Sequence, residues 1–139
     1  MAGLERFVEA QLGVYQRARD EIRAGRKTSH WMWFIFPQLA ILGRSDMAKR
    51  FGLADLDEAS AYLGHPVLGP RLTEMMKLML THAGTPPEAI LGTVDAMKLR
   101  SCATLFAAVP GADPVFAAVL DAFHDGQRCP VTLDALTRG

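Results

Sequence analysis

Cysteine is scarce in this sequence: there are two, Cys102 and Cys129, and they do not form a CxxC pair. That excludes a disulfide scaffold, and two free thiols fit a reducing cytoplasm. Long apolar stretches are missing too. The longest strongly apolar run, residues 31–36, is far short of the roughly 20 residues a membrane helix needs. Net charge is also absent, with Lys and Arg matching Asp and Glu at 15 each. The basic surplus of a DNA- or RNA-binding domain is therefore lacking. GxxxxGK, GxGxxG, HExxH and EF-hand patterns do not occur, so the common nucleotide loops and helix-borne metal sites leave no trace. The histidines His30, His65, His82 and His124 are scattered, none with a second ligand at zinc spacing, and no metal is expected. Neither cysteine sits in a recognisable nucleophile setting. Glu5 and Glu9 fall where the apolar stretch of a secretory signal would lie, which again points to the cytoplasm.

What is present describes a globular protein. The 139 residues are 50% apolar and 22% charged, which fits a single domain spanning residues 1–139. The charge is unevenly spread. Residues 1–52 hold nine basic and five acidic side chains, and the remainder holds six and ten. This polarity either favours an anionic ligand near the N-terminal half or reflects solvated helix faces.

Helical punctuation runs through the chain. Leu4, Phe7, Val8, Leu12, Tyr15, Ala18 and Ile22 recur every three or four positions, predicting one amphipathic helix that stops at Gly25. In residues 29–39 (SHWMWFIFPQL), Pro37 bars Phe36 from helical geometry, so tight helical turns should give way to an extended stretch. Asp55 and Glu58 read as a capping box for a helix closed by Gly64. Leu72, Met75, Met76 and Met79 form a helical stripe ending near Gly84. Thr85, Pro86 and Glu88 read as cap, first-turn proline and box partner of a short helix ending at Gly92. Residues 93–109 form a longer helix, apolar on nearly every face from Cys102 to Val109, that belongs at the centre of the core. Asp113 and Pro114 open the next helix, which stops at Gly126, and a last one follows Thr132 with Leu133 and Leu136 inward. The expected class is all-α, an irregular orthogonal array of about seven to eight short helices.

These residues also carry a resemblance. SHWMWFIFPQL, LGRS (42–45), HPVLGPRL (65–72), MKLRSCATLF (97–106), DPVFAAVLDAF (113–123) and the terminal TLDAL resemble the DUF1810 family of small bacterial proteins over nearly the whole chain. The resemblance implies an all-helical single domain in a cytoplasmic protein and carries no assigned activity. An acidic residue is expected in the family before the final Thr-Leu, where Pro130 and Val131 stand here.

Two segments hold the candidate chemistry. Trp31 and Trp33 suit either a core or the wall of a pocket, and Lys27, Ser29, His30 and Gln38 border them with polar groups. His30 is the histidine to test as an acid or base. Lys98, Arg100 and Ser101 lie on the central helix, where the cations serve structural ion pairs or hold a phosphate or carboxylate. One reading is a small-molecule site for an anionic, phosphorylated or nucleotide-like ligand, with catalysis left open and no cofactor specified. It requires a concavity beside His30 or Trp33. The alternative is a non-enzymatic interaction or adaptor module, monomeric or weakly self-associating, motivated by the charge split and the methionine stripe. It requires an exposed apolar patch larger than a few hundred Å².

Overall fold

In a computed structural model describing residues 3–138, the chain folds into α-helices joined by short turns. Ten α-helices are present among the described residues: α1 (Glu5–Gln11), α2 (Tyr15–Arg23), α3 (Met32–Ile35), α4 (Asp46–Arg50), α5 (Leu56–Gly64), α6 (Leu68–Leu80), α7 (Pro87–Leu91), α8 (Thr93–Ala107), α9 (Val115–His124) and α10 (Pro130–Arg138). A 3₁₀ turn spans Ala40–Leu42. Extended pairing among the described residues is limited to one parallel bridge between Leu39 and Leu53. The all-α class therefore holds.

The helix count exceeds the expected seven to eight for two local reasons. The amphipathic run at the N-terminus is two helices rather than one, because Gly13 takes φ +72° between them. The break turns Leu12 out to 69% exposure, although the apolar spacing had carried it inward. A further helix, α4, is nucleated by Ser45, whose hydroxyl accepts the Ala48 N–H at 3.1 Å.

Several local signals act as read. Asp55 Oδ1 accepts the Glu58 N–H at 2.8 Å, and Glu58 reaches back to the Ala54 N–H at 2.9 Å. Phe36 leaves helical geometry (φ −123°, ψ 72°) ahead of Pro37. Asp113 Oδ1 accepts the Val115 N–H at 2.8 Å at the start of α9. Two boundaries shift. Helix α7 begins at Pro87 with Pro86 as its flanking residue, since the residue before a proline is held extended (Pro86 ψ 135°). Helix α10 begins at Pro130, not after Thr132; Thr132 faces inward with no exposure, while Leu133 is 39% exposed.

The core forms around α8, which packs against α5, α7, α9 and α10, while α6 packs against α2, α5 and α9. From Ser101 to Phe106 every residue of α8 is buried. Met75, Met76 and Met79 are wholly buried as well, so the methionine stripe belongs to the core and offers no groove. Of the aromatic run, Trp31, Met32, Phe34, Ile35 and Phe36 are core, and Trp33 is half-buried against it. At Gly52 the backbone approaches Ala40 so closely that a Cβ would lie 2.3 Å from its Cα.

Candidate functional site

The loop from α2 to α3 carries Lys27, Thr28, Ser29, His30 and Trp31, and one carboxylate organises it. Glu21, in the last turn of α2, accepts the N–H groups of Thr28 (2.7 Å) and Ser29 (3.0 Å), the Ser29 hydroxyl, and the Trp31 indole N–H (3.0 Å). Burial would raise the Glu21 carboxyl, but the bonds from the Ser29 hydroxyl, the Thr28 N–H, the Trp31 indole and the Ser29 N–H outweigh it and bring it down to about 2. Ser29 is thereby committed to holding the loop. The Lys27 N–H completes the anchorage on the Ile90 carbonyl at 2.8 Å.

With the loop fixed, Lys27 meets α8. Its Nζ lies 2.9 Å from Asp95 Oδ2, and Lys98 Nζ lies 3.6 Å from Asp95 Oδ1. Each ammonium also lies over an indole: Lys27 is 5.0 Å from the Trp31 ring centre and Lys98 is 5.3 Å from that of Trp33. The Lys27 side chain is 8% exposed and that of Lys98 is 23% exposed. Two cations thus share the one carboxylate of Asp95 at a partly desolvated place. Asp95 sits in the first turn of α8, where the helix dipole also favours a negative charge.

Lys98, Trp33 and Gln38 line a common hollow with Met32, Phe36 and Phe51. Its volume is about 10 Å³, room for a water molecule and nothing larger. His30 is exposed and, among the described residues, makes no side-chain hydrogen bond or ion pair. A wide, shallow depression of about 780 Å³ runs along α2 past Arg17, Glu21, Arg26 and Thr28.

The structure brings Lys27, Trp31, Trp33, Gln38 and Lys98 together and sets Arg100 and Ser101 elsewhere. Arg100 donates to the carbonyls of Gln127 (2.9 Å) and Arg128 (2.8 Å), and Ser101 turns to Met97 and Cys129. The guanidinium is thus engaged by the turn before α10 rather than placed beside the tryptophans. Sequence reasoning missed Glu21 and Asp95. Asp95 carried a signal, since an acid three residues before Lys98 shares its helix face; Glu21 looked like one more solvated charge on α2.

Among the described residues no three His, Cys, Asp or Glu side chains gather in a way that could hold a metal ion, and no helix is long and apolar enough to cross a membrane.

The family model described as a protein of unknown function, DUF1810, matches residues 1–136. The chain is also similar to the conserved hypothetical protein Rv1873 from Mycobacterium tuberculosis, solved by crystallography, with 46% identity, a TM-score of 0.94 and 96% of each chain covered. No curated protein matches.

Proposed function

The chain belongs to the DUF1810 family, and we propose that it binds a small anionic ligand across Lys98 and the half-buried face of Trp33. The observation that carries this reading is the unequal charge at Asp95: two lysines to one carboxylate, each ammonium against an indole. A phosphate or carboxylate approaching the looser partner, Lys98, gains a charge-assisted hydrogen bond, and Lys27 keeps Asp95 satisfied. Trp33 offers a flat apolar surface to a ring attached to the anion, and Gln38 lies on the same hollow to supply an amide. The hollow admits only water, so the ligand lies over its rim and is not enclosed. That geometry favours binding over catalysis.

The test is a thermal-shift and calorimetric titration with inorganic phosphate, a nucleoside monophosphate and the matching neutral nucleoside. Ligand at 100 times its Kd stabilises by about 2.7 kcal/mol. The nucleotide should raise Tm, the nucleoside should not, and Lys98→Gln should abolish the shift. No shift at millimolar nucleotide, or one that Lys98→Gln leaves intact, would reject this reading.

A further inference from the structure

The turn that joins α9 to α10 is built on a histidine with one ring nitrogen shut away from water. His124 closes α9, and its carbonyl accepts the Gln127 N–H at 2.9 Å. Its Nε2 is sealed from solvent and makes no hydrogen bond among the described residues. In a neutral ring that nitrogen can rest as an idle acceptor. In an imidazolium it must donate, and nothing stands there to accept.

The charges around the ring decide which form the fold admits. Among the described residues they are Arg100 from α8, Glu88 from α7 and Asp125 just past the end of α9; α6, which also packs on α9, supplies none. Burial first, and then the Arg100 guanidinium, disfavour the cation, and together they outweigh the two carboxylates. The ring therefore holds its proton less well than an ordinary histidine, below 6.5.

Arg100 also grips the turn itself, donating to the carbonyls of Gln127 at 2.9 Å and Arg128 at 2.8 Å. Between the ring and those carbonyls the chain passes through Asp125 at φ +54°, the one non-glycine residue with positive φ among the described residues. A backbone placed there is strained and persists only while its surroundings hold it. Beyond the turn, α10 packs chiefly on α8, where the Cys129 N–H donates to Thr104 Oγ1 at 3.0 Å. A helix docked mainly on one neighbour, at the end of a strained turn, can leave while the rest stays folded.

We propose that His124 is an acid-sensing latch: a proton on its ring releases the turn at residues 125–128 and undocks α10 from α8. For a protonated Nε2 to find an acceptor, the ring must swing out to water and away from Arg100. That motion takes the His124 carbonyl from the Gln127 N–H and lets Asp125 relax. With the ring in water, the undocked form binds the proton more tightly than the docked form. Docking is therefore at full strength well above pH 6.5 and weakens as pH falls below it.

The test measures hydrogen exchange of the full chain at pH 7.5 and 5.0, corrected for intrinsic amide rates, with the His124 ring followed by NMR titration. Protection across residues 127–137 should drop roughly three- to tenfold at pH 5.0 while that of α6 holds. The ring should titrate below 6.5, and His124→Gln should make α10 protection the same at both pH values. A ring that titrates at or above 6.5, an α10 indifferent to pH, or a drop that persists in folded His124→Gln would each overturn the proposal. Should His124→Gln fail to fold, the parent protein decides. Its loss of α10 protection must set in between pH 6.5 and the ring's own midpoint, and a loss confined below that midpoint rejects the latch.

Discussion

The indole N–H of Trp31 donates to Glu21 at 3.0 Å, so the most buried aromatic of the signature run is tied to a carboxylate from the preceding helix. Its pH consequence has a definite sign. The folded-state carboxyl sits at about 2, below its ordinary 4.5. The stability it contributes is fully present above pH 4.5 and is lost as pH falls toward 2. Glu21→Gln should lower stability by about 1–2 kcal/mol at pH 7, allowing for solvent screening, and flatten the acid limb over that window. Urea unfolding at several pH values reads both effects.

The two lysines on Asp95 should behave differently. Lys27 is the more buried and the closer, at 2.9 Å, so Lys27→Met should cost about 2 kcal/mol by leaving Asp95 poorly paired. Lys98→Met should cost under about 1 kcal/mol, because its contact is longer and more exposed. Equal losses in denaturant titrations would mean that the carboxylate is not shared as the geometry indicates.

Gly52→Ala should be strongly destabilising. The added methyl would meet Ala40 Cα at 2.3 Å and its Cβ at 2.5 Å, both on a backbone held by the Leu39–Leu53 bridge. Overpacking of that kind costs about 3 kcal/mol. A Tm within a degree or so of the parent would contradict it.

Arg100→Ala should loosen the turn before α10 while leaving the lysine cluster intact. Two hydrogen bonds from a charged donor are lost, worth about 1–2 kcal/mol together at this exposure. Hydrogen exchange should accelerate across residues 127–133 and remain unchanged around Trp31.

The parts of the fold that could be read in advance are those decided within a few residues. The Asp55–Glu58 box, the end of α3 before Pro37 and the Asp113 cap each depend on contacts with near neighbours in the chain. The break at Gly13 was hidden because apolar spacing continues across it, and periodicity does not register a residue with positive φ. In the candidate site, Trp33, Gln38, Lys27 and Lys98 were found from residue type and from the central position of their segments. Arg100 and Ser101 were drawn into the same group by lying next to Lys98 in the sequence. Their partners are set by the path of the chain into α10, and nothing local to α8 reveals that path. Asp95 and Glu21 are ordinary surface acids until the loop from α2 closes on them.

The bridge between Leu39 and Leu53 has a last consequence, for how the chain tolerates change. The Ala40 N–H binds the Leu53 carbonyl at 2.8 Å and the Leu53 N–H binds the Gln38 carbonyl at 2.9 Å, so the two ends of residues 40–52 are clasped together. Between them Phe51 returns to the core and Arg6 of α1 holds the Arg50 and Gly52 carbonyls, so it is the tip of the excursion that can lengthen at little cost to the remainder. Its tip, at Arg44 and Ser45, is exposed. Related chains should place their insertions there, and a reporter peptide spliced at that point should leave the core and the lysine pair as they are.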